Sequence, residues 1–167
     1  MGQRLLLSAR QIAYKEYDMI SSGPIFDGVM LLPNRTLRVS FKPQTVSTAG
    51  LRLRTEGPVR QTCAVGRNQT RAIHVMPMTP VPASQCGGFE LRVGDDGEWV
   101  PLGMLQLSAD KRSILLPLSE TTDGDTPMQL RYLWADWAVP TVYDARSYDG
   151  LNGELPAPPF VASVAQQ

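Results

Sequence analysis

The sequence predicts a mainly β fold: an antiparallel β-sandwich-like domain preceded by one N-terminal amphipathic α-helix. Three observations carry this. Fourteen glycines and fourteen prolines in 167 residues divide the chain into short segments and disfavour long helices. Between those breaks, apolar and polar residues alternate with the two-residue period of a sheet. The stretch Gly94-Asp-Asp-Gly97, between Phe89-Glu-Leu-Arg-Val93 and Trp99-Val100, has the turn chemistry of a hairpin, because Asp and Gly accept positive φ angles.

In chain order, the first element is a helix over residues 2–16. Leu5, Ala9, Ile12 and Ala13, with Leu6 and Tyr17 alongside, fall on one helical face, while Arg4, Arg10, Gln11 and Lys15 fall elsewhere. Ser21-Ser-Gly-Pro24 stops it. Strands are then expected at Val29–Leu32, Thr36–Phe41, Gly50–Arg54, Ala72–Met76, Phe89–Val93, Trp99–Leu107, Ser113–Leu118 and Met128–Trp134. Ser108-Ala-Asp-Lys-Arg112 and Thr121-Thr-Asp-Gly-Asp-Thr-Pro127 read as further turns. Residues 56–88 are the least regular stretch, and Met76-Pro-Met-Thr-Pro-Val-Pro82 is too proline-broken for a central strand. From Ala138 onward, prolines, glycines and asparagine predict an extended coil laid over the body, pinned by Tyr143, Tyr148 and Phe160. The division expected is a terminal helix in 1–20, a sandwich-like domain in 21–137 and the coil in 138–167.

Charge narrows the partners. Sixteen Lys and Arg balance sixteen Asp and Glu, so no global field attracts nucleic acid or an anionic membrane. No run reaches the roughly 18 apolar residues of a membrane-spanning helix. Met1-Gly-Gln-Arg-Leu-Leu-Leu has the beginnings of a secretory signal, but Arg10 and Gln11 interrupt its apolar stretch too early. As a sequence, then, no signal peptide is expected.

Catalytic chemistry finds little to work with. A serine hydrolase needs an imidazole base, and His74 is the single histidine, set in the alternating run Ala72-Ile-His-Val-Met76, where a strand residue is the simpler reading. No Gly-x-Ser-x-Gly elbow is present. No metal site is expected, since one histidine and two distant cysteines supply no paired ligand spacing. Asp95, Asp96 and Glu98 form the densest acidic cluster, and a solvated turn explains them better than calcium does. No Gly-x-Gly-x-x-Gly or P-loop lysine occurs, so no cofactor is expected. Cys63 and Cys86 fit either a disulfide or two free thiols. A bridge would close a loop of about two dozen residues, worth about 3 kcal/mol on chain-entropy grounds. Asn34-Arg-Thr36 and Asn68-Gln-Thr70 match the N-glycosylation pattern and sit beside turn residues. Tyr132, Trp134 and Trp137 could form a platform for a sugar ring, although a core strand with bulky residues accounts for them more simply. Arg131 beside them could hold a sialate-type carboxylate through paired hydrogen bonds, or equally tie the C-terminal coil to the sheet.

Leu130-Arg-Tyr-Leu-Trp-Ala-Asp-Trp137, followed by Leu155-Pro-Ala-Pro-Pro-Phe160, resembles the C-terminal end of the sialate O-acetylesterases. Less specific matches precede it in the same order: Gly2-Gln-Arg-Leu5 with Ala13-Tyr14, Ser22-Gly-Pro-Ile25, Leu37-Arg-Val-Ser-Phe41, Gly88-Phe-Glu-Leu91 and Asp96-Gly-Glu-Trp-Val-Pro101. The resemblance implies a carboxylic-ester hydrolase that removes acetyl groups from sialic acids, in lysosomes or secreted and in some cases cytosolic. It also implies that residues 2–16 correspond to the last helix of an upstream α/β hydrolase domain, the partner of this β domain. The family's Gly-x-Ser-Asn nucleophile and its Asp-x-x-His pair have no counterpart here, the latter being expected just before Met1. No catalytic residue is therefore assigned in the chain, and Arg131 and Trp134 are the candidate substrate contacts. Leu133, where alanine is usual, and the insertion at 138–152 depart from the family pattern. The alternative expectation is a carbohydrate-binding or structural accessory β-module.

Overall fold

A computed structural model describes residues 9–15, 22–54, 88–102, 105–118, 127–134, 140–146 and 155–166. His74, Cys63, Cys86, Asn68, Tyr148 and Trp137 lie outside the described residues, as do the strand expected at Ala72–Met76 and most of the turn expected at 121–127.

Residues 9–13 are helical, inside the span that the periodicity predicts. Lys15 ends this segment with φ 57°, the left-handed conformation that commonly terminates helices. Ten strands follow among the described residues: β1 (Phe26–Leu32), β2 (Thr36–Phe41), β3 (Leu51–Leu53), β4 (Phe89–Val93), β5 (Val100–Leu102), β6 (Gln106–Leu107), β7 (Ser113–Pro117), β8 (Met128–Tyr132), β9 (Val142–Asp144) and β10 (Phe160–Ser163). Pairings between these strands are antiparallel, and an isolated parallel bridge joins Met30 to Ala165. They form one sheet of order β1-β2-β7-β6, a second of order β10-β8-β4-β5, and a small sheet of β3 with β9. The mainly β, antiparallel, sandwich-like class read from the sequence is the class observed.

The period-two pattern explains how the sheets meet. On β4, Phe89 and Leu91 are buried and Val93 packs against the core, and each lies opposite an apolar residue of β8: Tyr132, Leu130 and Met128. In the first sheet Leu37 lies opposite Leu116, and Val39 opposite Ile114, all four with no exposed surface. Residues of both sheets belong to one continuous core cluster. Each such side chain contributes roughly 1.5–3 kcal/mol when withdrawn from water.

Two expectations need correction. The single strand expected at Trp99–Leu107 is two strands in different sheets, β5 and β6. Pro101 lacks an N–H and confines β5 to the edge of the second sheet, where one ladder partner suffices. The coil expected over 138–167 instead contributes β9 and β10. Alternation explains the second: Phe160 and Ala162 face the core, while Val161 and Ser163 face solvent. The prolines at 156, 158 and 159 concealed that pattern. Tyr143 is buried and Phe160 packs on the core, so both aromatics do pin this end.

β10 also ties the two sheets together. It pairs with β8, and just beyond it the Leu31 N–H donates to the Ala165 carbonyl at 2.9 Å while the Ala165 N–H donates to the Val29 carbonyl at 3.0 Å. The rings of Phe26 on β1 and Phe160 on β10 stack at 4.1 Å. An edge of each sheet is thereby covered, which removes a template for unwanted pairing.

Candidate functional site

Because Phe89, Leu91 and Val93 point into the sandwich, Glu90 and Arg92 must point to its outer face, as must Gln129 and Arg131 on β8. The antiparallel register sets Glu90 opposite Arg131 and Arg92 opposite Gln129. Both cross-strand pairs bond. Arg131 Nε donates to Glu90 Oε2 at 2.6 Å, and Arg92 Nη2 donates to Gln129 Oε1 at 2.7 Å. Trp99, delivered by the β4–β5 hairpin, lies against both cations. Its ring centroid is 4.2 Å from the Arg131 guanidinium and 5.2 Å from that of Arg92. Partly desolvated contacts of this kind add roughly 0.5–2 kcal/mol each.

This cluster is incompletely matched. Glu90 is buried, yet its Oε1 has no hydrogen-bond partner among the described residues, and neither does the buried Nε of Arg92. A buried polar atom left unpaired costs about 1–3 kcal/mol, so an unfilled donor and an unfilled acceptor two residues apart on one strand are notable.

The structure separates the residues that the sequence grouped. The Arg131 side chain is engaged by Glu90 and Trp99, while its backbone lies opposite Val161 of the C-terminal strand β10. Tyr132 points the opposite way, is wholly buried, and accepts hydrogen bonds from the Thr141 and Val142 N–H groups at 3.0 Å each. Its ring lies 4.5 Å from that of Phe89 and 5.6 Å from that of Phe160. Burial raises its pKa above the usual 10.0, against the lowering effect of these hydrogen bonds. Tyr132 is therefore a core residue, as a strand carrying bulky side chains predicts. Trp134 is 55% exposed and follows Leu133, whose φ of 55° turns the chain out of β8. The ring that lies over the Arg131 guanidinium is that of Trp99 and not of Trp134. The aromatic that sequence reasoning missed is Trp99. A signal existed: Glu90-x-Arg92 and Gln129-x-Arg131, run antiparallel, place a partner opposite each arginine on a single face.

Elsewhere, Asn34 is exposed in the β1–β2 turn, where a glycan has room. Asp95, Asp96 and Glu98 are exposed at the β4–β5 hairpin, and no group of three metal-ligating side chains occurs among the described residues. No described helix is long and apolar enough to cross a membrane. Neither protein-family models nor curated protein sequences give a match to this chain.

Proposed function

We propose that the chain is the C-terminal accessory β-module of a sialate O-acetylesterase, serving hydrolysis of O-acetyl esters on sialic acids through an upstream catalytic domain of the same protein, in lysosomes or outside the cell. The supporting observation is how the two stretches behind the resemblance meet. Leu130-Arg-Tyr132 lies in β8, Phe160 opens β10, and these neighbouring strands set Phe160 opposite Tyr132. Leu155 and Ala157, from the same closing stretch, are buried. Two motifs separated in sequence thus serve one packing unit, which is a physical reason for them to occur together. Chemistry supports an accessory role: the sequence offers a single histidine and no Gly-x-Ser-x-Gly elbow, so it lacks the sequence marks of a base and nucleophile for acyl transfer. Ile12 within the N-terminal helix and Tyr14 just after it, 78% and 74% exposed, supply apolar surface for contact with such a domain.

The test is hydrolysis. Purified chain is expected to release no acetate from O-acetylated sialic acids or from 4-nitrophenyl acetate above the buffer rate. Enzyme-like turnover that His74→Ala abolishes overturns the reading.

A further inference from the structure

Residues 155–165 run beside β1 in the same direction, and three contacts occur in the same order along both segments. At the start, Gly23 lies so close to Pro156 that a Cβ on it would meet the Pro156 carbonyl oxygen at 1.9 Å. In the middle, the rings of Phe26 and Phe160 stack. At the end, Met30 and Ala165 form the parallel bridge. The other side of the segment is fastened to β8 and β9. The Asp144 N–H donates to the Leu155 carbonyl at 3.0 Å, and the Ala157 and Val164 N–H groups donate to the Val142 and Met128 carbonyls at 2.9 Å each.

That fastening is light. Pro156, Pro158 and Pro159 carry no N–H, so within residues 155–159 only Leu155 and Ala157 have one to donate. The segment buries Leu155, Ala157 and Val164, and it buries Phe160 and Ala162 only in part. The largest fully buried side chains among the described residues, including Tyr132, Phe89, Leu37 and Leu116, all lie before residue 145. The main core is therefore assembled without this segment. Elements that add little apolar burial to a core built by others open at the low end of a fold's range of local stabilities.

We propose that residues 155–165 form a strap that opens and recloses as one unit while the rest of the sandwich stays folded, with residues 22–25 as its latch. Opening bares the β1 and β8 edges together and uncovers Gly23 and Pro24, both buried when the strap is closed. The chain entering from the N-terminal helix and the C-terminal end are thereby coupled. A partner that displaces residues 22–25 loosens the strap, and one that grips the strap fixes the entry segment. This coupling is independent of the esterase reading.

The experiment is native-state hydrogen exchange of the full chain, read residue by residue in low concentrations of guanidinium. The Ala157, Val164 and Ala165 amides, with those of Leu31 and Asp144 that donate to strap carbonyls, are expected to share one opening free energy, below that of the β2–β7 ladder amides. Gly23→Ala forces a Cβ against the Pro156 backbone and is expected to speed exchange of this set by at least about tenfold, with the β2–β7 ladder little changed. Gly28→Ala is the control on β1 itself, since a Cβ there meets nothing within 4 Å, and it should leave strap exchange as it is. Equal effects of the two variants on the strap overturn the latch. Strap amides that exchange at unrelated free energies, or only together with the β2–β7 ladder, overturn the strap, and this wild-type comparison decides even where Gly23→Ala fails to fold.

Discussion

Asp144 on β9 accepts two hydrogen bonds from Ser47, from its N–H at 3.1 Å and from its hydroxyl at 2.6 Å, across 97 positions of sequence. Neither residue reaches solvent appreciably, and Asp144 Oδ2 has no partner among the described residues. A buried carboxylate with one satisfied oxygen depends heavily on the donors it has. Ser47 follows the 3-10 turn Pro43–Thr45, and β9 pairs with β3, so this contact fastens the small sheet to the body. Ser47→Ala removes one of the two donors and is expected to lower stability by about 1–3 kcal/mol. Urea unfolding reads this as a lower midpoint at unchanged slope, and a midpoint equal to wild type refutes it.

Tyr132 predicts both a mutational and a pH effect. Its oxygen satisfies two backbone donors, Thr141 N and Val142 N, that are buried where β9 docks. Tyr132→Phe leaves both unpaired and is expected to cost about 1–3 kcal/mol at neutral pH.

The same burial raises the tyrosine pKa above 10.0 in the folded chain. Below that pH the phenol is protonated in folded and unfolded chains alike, so it adds no pH dependence. As pH climbs from about 10 toward the folded value, the unfolded chain releases the proton first and stability falls. Unfolding midpoints measured across alkaline pH should fall more steeply for wild type than for Tyr132→Phe. Parallel curves would show that Tyr132 ionises alike in both states.

Arg131 and Glu90 predict a non-additive pair. Both side chains are mostly withdrawn from solvent, 14% and 11% exposed, so solvent screening is limited. Arg131→Met leaves the Glu90 carboxylate buried and unpaired, at a cost of about 3–5 kcal/mol. Adding Glu90→Gln removes the stranded charge and is expected to recover a large part of that loss. A double variant no more stable than Arg131→Met would exclude coupling between the two.

What the sequence made legible follows from which interactions are local. Thr36–Phe41 and Phe89–Val93 have the predicted bounds because their alternation and flanking turns are read within a few residues. The helix at residues 9–13 follows from its periodicity in the same way. β10 was missed because three nearby prolines outweighed a four-residue alternation whose value lies in pairing with β8, far away in sequence. Trp99 escaped notice for a related reason. It meets Arg131 only once the β4–β8 register is fixed, whereas Trp134 is close in sequence but turned away by the left-handed Leu133. Chain proximity was a poor guide to which aromatic accompanies the arginine.

Residues 155–166 belong to the sandwich and are not an appendage, and Phe160 tests this. Its ring stacks on Phe26 of the first sheet at 4.1 Å and meets Phe89 edge-on at 6.2 Å and Tyr132 at 5.6 Å in the second. One side chain thus contacts both layers at the edge where they join. Phe160→Ala removes those contacts and opens a cavity, with an expected loss of about 3–5 kcal/mol. Phe160→Leu keeps much of the volume and is expected to lose far less. Backbone exchange sharpens the test: in Phe160→Ala, the Leu31 and Ala165 amides, which bond across that edge, should lose protection along with those of β8. A C-terminal coil merely resting on the surface would instead allow Phe160→Ala with less than about 1 kcal/mol of change and unaltered β8 exchange.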